Sequence, residues 1–230
     1  MPPSPSRHTR ERVNLEKSWG LAMLARLAGN LGQRLAASLN LNEDAAERAA
    51  YALELFFLDL LTLICIVLAA WLAGAIGPAI AALATTALMR LVSGGAHSES
   101  PWVCLALSTV LAVGFGLLGR TMGRFITYSA GLTIAGVILI GGAIVLAKFA
   151  PADSPAKPIK PMQAKKLKIL SLVFIAAWAL VMPFVPLQSG LFGASALGML
   201  WQLSSITPAA YGFSRALDRL LWIKEVKNNA

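Results

Sequence analysis

Hydrophobic residues in this chain gather into six long runs separated by short polar gaps, at about 55–73, 76–92, 101–119, 126–147, 169–187 and 191–212. An α-helix needs roughly 20 mostly apolar residues to cross the hydrocarbon core of a bilayer, and each run approaches that length. The second run is the weakest, because it is short and ends at Arg90. Upstream, Leu24, Leu27, Ala28, Leu31, Leu35 and Leu39 recur at helical spacing, with Arg26, Asn30, Gln33 and Arg34 set off the stripe. That pattern predicts an amphipathic helix, either lying on a membrane surface or packed on the bundle. Asn40 and Asn42 mark a break, and Glu43-Asp44 suit the positive end of the helix that follows. The expected fold is all-α: a polytopic membrane protein with about six transmembrane helices and an N-terminal amphipathic helical region. Its organisation reads as a flexible, basic Pro/Ser/Arg-rich segment (1–14), the amphipathic region (15–53), a six-span domain (54–212) and a basic tail (213–230).

Composition strengthens this reading without changing it. The chain has 230 residues, of which 57% are hydrophobic and 13% charged. Its first fifty residues are too polar for a cleavable signal peptide, so the first span is expected to act as an uncleaved signal. A net charge of +9 would suit nucleic acid, but the basic residues fall in blocks between apolar runs. Orientation and anionic headgroups account for that distribution, so lipid and not nucleic acid is the expected partner. Seven Lys and Arg precede the first span, six follow the fourth (Lys148, Lys157, Lys160, Lys165, Lys166, Lys168), and four lie in the tail. Six spans put all three blocks on one side with Arg90 and His97, and leave only Arg120 and Arg124 opposite. The positive-inside rule makes the shared side cytoplasmic, which places both termini and the loop around His97 there.

Chemistry concentrates in the second gap. The chain has two histidines and two cysteines, and one of each lies in His97-Ser98-Glu99-Ser100-Pro101-Trp102-Val103-Cys104, just after Gly94-Gly95. Ser100 followed by Pro101 is a good helix start, with serine able to cap and proline tolerated at the first helical position. Cys104 then falls at the end of the first turn. A helix N-terminus and a nearby imidazolium both raise the thiolate fraction of a thiol, so the pair has the parts of a nucleophile and its base. The alternative is a small apolar cysteine beside a polar loop histidine. Cys65, set among Leu63, Ile64, Ile66 and Val67, is an inert internal contrast. No metal-site spacing exists, because His8 lies in the N-terminal segment and one remaining histidine cannot build a site. No cofactor is called for.

The stretch Arg90-Leu91-Val92-Ser93-Gly94-Gly95-Ala96-His97, with Ser100 and then Cys104, resembles the catalytic loop of the accessory gene regulator B (AgrB) family. Ala150-Pro151-Ala152-Asp153-Ser154-Pro155-Ala156-Lys157-Pro158-Ile159 resembles that family's second signature, after the fourth span. The resemblance covers the chain from the amphipathic region to the last span, while the N-terminal fifteen residues have no counterpart. It implies a bacterial cell-membrane cysteine endopeptidase of quorum sensing. By the same resemblance, His97 and Cys104 are catalytic and the partner is a short autoinducer-peptide precursor. Cleavage would pass through an acyl-enzyme thioester that an internal nucleophile of the precursor could resolve into a ring.

Glu99 and Asp153 are candidates to orient His97, and Asp153 ranks first because it belongs to the second signature. Ser100 supports the helix start. Arg90 either snorkels to headgroups, the preferred reading, or binds substrate carboxylates. Asp59, an ionisable group inside the first apolar run, is a further functional candidate. Gly114-Phe115-Gly116-Leu117-Leu118-Gly119 matches a dinucleotide-binding pattern, but it ends an apolar run and reads as close helix packing, as do Gly119 to Gly123 and Gly193 to Gly198. Gly-rich spans also permit a homodimer. The competing class is a small polytopic transporter or exporter whose Cys and His merely pack.

Overall fold

The computed structural model describes residues 19–38, 43–96, 101–152 and 161–228. Among them are eight α-helices and no strand: α1 (Trp19–Ser38), α2 (Glu43–Leu72), α3 (Ile76–Ser93), α4 (Pro101–Met122), α5 (Tyr128–Phe149), α6 (Pro161–Val181), α7 (Leu191–Ser205) and α8 (Pro208–Asn228). Two 3-10 turns, Met182–Phe184 and Leu187–Ser189, join α6 to α7. The chain divides into two compact units at Ile64 and Cys65, within α2. In the first unit α1 packs on α2 where Gly32 meets Ala50: a Cβ on Gly32 would stand 2.7 Å from the Ala50 Cα. Ala28, one turn earlier, is buried, whereas Leu27 and Leu31 are exposed. Among the described side chains the packed face therefore runs through Ala28 and Gly32 and not through Leu27 and Leu31.

Among the described residues five helices are long and apolar enough to span a membrane: Arg48–Leu72 within α2, then α3, Trp102–Met122 within α4, α5, and Pro161–Phe184. In the second unit Val110, Val137, Ile140, Ile144 and Leu180 stand exposed on the outside of the bundle. That apolar exterior suits lipid and not water. This is an all-α polytopic membrane protein.

The sixth apolar run differs from expectation. It gives α7, of 15 residues, which at 1.5 Å per residue rises roughly 22 Å, short of the roughly 30 Å hydrocarbon core. Pro208 explains the break: it disfavours helical backbone at Thr207 and then takes the first position of α8. The expected basic tail is therefore mostly the helix α8. Similarly, α6 begins at Pro161, well before the expected 169, and takes Lys165, Lys166 and Lys168 into its first turns. Met162, Gln163, Ala164 and these lysines are all good helix formers. Pro183 and Pro186 then end that span short of 187.

α7 is short because it is the axis of the second unit and not a lipid-facing span. It touches α3, α4, α5 and α8, and ten of its residues are buried, most of them small. Its beginning lies beside the beginning of α3 (Gly77 against Leu191) and its end beside the end of α3 (Ser93 against Gln202). These two helices run parallel. α4 runs against both, with Gly116 on Ala79 and Gly119 on Ala194. α5 ends near Lys168 of α6, whose ammonium donates to the Ala147 carbonyl at 2.8 Å. One end of the unit thus gathers Arg90, Lys148, Lys165, Lys166 and Lys168, and the other Arg120 and Arg124.

Close approach makes the packing. A Cβ on Gly198 would stand 2.6 Å from the Ala82 carbonyl oxygen, and one on Gly119 would strike the Ala194 backbone. Without water to drive apolar association inside lipid, such contacts and interhelical hydrogen bonds hold a bundle together. Trp178 Nε1 of α6 donates to Ser195 Oγ of α7 at 2.7 Å, and Ser195 shares a 2.6 Å hydrogen bond with Thr85 of α3. Trp178 also stacks on Phe192, with ring centroids 6.3 Å apart. The glycine pattern at 114–119 is therefore helix packing, as expected, and no nucleotide loop.

Candidate functional site: a cysteine-lined cavity under two joined loops

α3 ends at Ser93, whose hydroxyl donates back to the Met89 carbonyl at 2.9 Å. Gly94 and Gly95 follow with φ of 71° and 149°, values that side chains with a Cβ rarely adopt. Space forbids a side chain there as well. A Cβ on Gly94 would lie 2.6 Å from the Ala152 oxygen, and one on Gly95 2.7 Å from Ser205 Oγ. The two glycines are thus required by backbone conformation and by close approach.

That approach joins the two motifs. Gly94 and Ala152 form an isolated parallel bridge, with the Ala152 amide donating to the Ser93 carbonyl at 2.8 Å. The second signature, arriving from the end of α5, is clamped by backbone onto the first. From α7, Gln202 Nε2 donates to the Gly94 carbonyl at 2.7 Å and to Ser93 Oγ at 3.0 Å. The Ala96 amide donates to the Ser205 carbonyl at 3.0 Å, and Arg90 Nη2 donates to the Ala96 carbonyl at 2.6 Å. Every residue from Ser93 to Ala96 is therefore held by at least one hydrogen bond or packed glycine. Arg90 is half-buried, and its guanidinium is turned into this loop.

α4 starts at Pro101, so Cys104 is its fourth residue, in the first turn as expected. It is half-buried and lines a cavity of about 340 Å³ between α3, α4, α7 and α8. Arg90, Ala96, Ser205 and Thr207 share its wall near the basic end of the unit. Leu83, Leu107, Leu111, Phe115, Trp201 and Phe213 make it mainly apolar. A cavity of this size and character is typical of small-ligand sites, and Cys104 forms part of its wall. Cys65 is half-buried in α2 and lines no part of this cavity. Asp59 is exposed.

His97, Glu99, Ser100 and Asp153 lie outside the described residues. The described chain stops at Ala96, two residues after Gly94, and at Ala152, its partner in the bridge. Among the described residues no group of His, Cys, Asp and Glu could hold a metal ion. Gln202 and Ser205 were missed in the sequence. Gln202 is the one amide side chain in the 191–212 run, and a polar group at membrane depth was the signal that could have found it.

Fold and site together define a polytopic membrane protein with a cysteine-bearing cavity at one end of its bundle. The family model of accessory gene regulator B matches residues 26–206, and the chain belongs to that family. An AgrB-like protein of Clostridium perfringens (strain SM101 / Type A) is 28% identical over 198 residues, covering 80% of this chain and 92% of that one. A second AgrB-like protein, of Clostridium perfringens (strain 13 / Type A), is 26% identical over 203 residues with the same coverage. No solved structure matches. Membership connects the chain with the accessory gene regulator system.

Proposed function

We propose that this protein is a membrane cysteine endopeptidase that cleaves the precursor of an autoinducer peptide, with Cys104 as nucleophile and His97 as its base. The observation that carries this reading is the position of Cys104 on the wall of an apolar cavity, in the first turn of α4, with Ala96, the residue before His97, on the same wall. The exposed amides of a first helical turn favour an anion. His97 accepts the thiol proton, and the sulfur attacks a backbone carbonyl of the precursor. The tetrahedral adduct collapses to a thioester as the C–N bond breaks, and the imidazolium returns the proton to the departing amine. The C-terminal peptide leaves and the N-terminal part stays acylated on Cys104. A thiol or hydroxyl within that part then attacks the thioester, releases Cys104 and closes a ring. Holding the chain in a largely dry cavity favours this step over hydrolysis, because the internal nucleophile is close and water scarce.

Asp153 or Glu99 orients the imidazole, and Ser100 caps α4. The basic end of the bundle, with Arg90, Lys148, Lys165, Lys166 and Lys168, faces the cytoplasm, so the precursor meets the site from the side on which it is made. The test is co-expression with a candidate precursor encoded beside the gene, followed by mass spectrometry. Cys104→Ala and His97→Ala each abolish cleavage, whereas Cys65→Ala cleaves normally. Full processing by Cys104→Ala would sink the mechanism.

A further inference from the structure

Gln202 belongs to neither motif, yet it holds the first motif from below. Its side chain is fully buried. Both acceptors of its Nε2, the Gly94 carbonyl and Ser93 Oγ, lie at the point where α3 gives way to the loop. Its Oε1 is buried and meets no hydrogen-bond partner among the described residues. A buried amide oxygen left unsatisfied is costly, so what the amide contributes here lies in its donor group, which reaches two acceptors at the start of the loop.

The work of its donor group is local. The Gly94 carbonyl precedes Gly95, whose left-handed backbone turns the chain to Ala96. Ala96 is fixed in turn by the Ser205 carbonyl, one turn further along α7. Gln202 and Ser205, one turn apart on α7, thus hold the backbone from Ser93 to Ala96, the residue before His97.

We propose that Gln202 is a positioning residue for the peptidase reaction: it locks the Gly94 carbonyl so that the following loop presents the His97 imidazole to the Cys104 thiol. The proposal rests on the Cys104–His97 reading above. Gln202 touches neither substrate nor thiol, so its loss acts on the rate of the chemical step and leaves the cavity that binds the precursor.

The experiment uses the full chain in detergent, in a Cys65→Ala background, with iodoacetamide as a probe that needs no substrate and with the precursor that the parent cleaves. Gln202→Met lowers kcat by about tenfold or more with KM within about twofold, and slows alkylation of Cys104 at neutral pH to a similar degree. Gln202→Asn keeps a buried amide but withdraws it by one methylene, and it shows the same split with a smaller loss. Unchanged kcat and alkylation in Gln202→Met overturn the proposal. So does a loss confined to protein abundance, or a rise in KM at constant kcat, since a merely structural residue gives those results. Cleavage at the parental rate by Cys104→Ala would instead remove the peptidase reading beneath it, a result distinguishable from any of these.

Discussion

Single glycines decide how closely the helices of the second unit approach, and they do so unequally. Gly119 of α4 faces the Ala194 backbone with no room for a methyl group, whereas Gly114, in the same helix, has nothing within 4 Å of where its Cβ would stand. Gly119→Ala must push α4 from α7, and overpacking of this kind costs about 1–3 kcal/mol. Gly114→Ala removes backbone freedom from the unfolded chain with no clash and gains up to about 1 kcal/mol. Thermal unfolding in detergent should show the two variants moving in opposite directions from the parent. This contrast was only half legible in the sequence. The spacing of Gly114, Gly116 and Gly119 announced a packing seam, but not which members lie on it, because that depends on the rotation of α4 about its axis. Gln202 was missed although its amide stands out in an apolar run, and its partner could not be read: the Gly94 carbonyl is a backbone group and leaves no mark in composition.

At the scale of elements, apolar length located α3, α4 and α5 within a few residues, because lipid imposes a nearly fixed helix length. It failed where helices answer to something else. α6 starts at Pro161 because its lysine-rich beginning is made of good helix formers, and a charge pattern that reads as a loop can also be the wetted first turns of a span. α7 stops at Ser205 because protein, not lipid, surrounds it, so it need not match the membrane. α8 is the element whose role changed most. Expected as a tail, it lays Ala209, Ala210, Phe213, Ser214 and Leu217 along the cavity at helical spacing. It therefore forms a wall of the site in which Cys104 stands. Phe213→Ala combined with Leu217→Ala strips that wall without touching the thiol or the Gly94 loop. Steady-state cleavage should show KM raised severalfold with kcat little changed, the signature of lost binding made equally in ground and transition state. A fall in kcat at constant KM would mean that α8 takes part in the chemical step.

For the whole molecule, the sequence pattern specified an all-α membrane protein and two motifs but not their meeting. The bridge from Gly94 to Ala152 brings the ends of α3 and α5 together at the basic end of the bundle, and the first turn of α4 opens on the cavity there. Residues far apart in the chain become one site because α7 passes through the centre and offers Gln202 and Ser205 to the loop above it. The motifs could be recognised separately by resemblance. Their clamping depends on the parallel course of α3 and α7, a long-range pairing that local periodicity does not encode. The same architecture supplies a packed bundle as a base, a glycine loop held on it, and an apolar chamber that Cys104 lines. On the proposed mechanism Cys104 becomes covalently acylated by the precursor. To test this, purified protein is mixed with that precursor and quenched in acid within a turnover, and the intact mass is read. The expected result is an adduct equal to the N-terminal part of the precursor, released by hydroxylamine and mapped by peptide sequencing to Cys104. Cleavage that proceeds with no such adduct, or with one mapped to another residue, would contradict it.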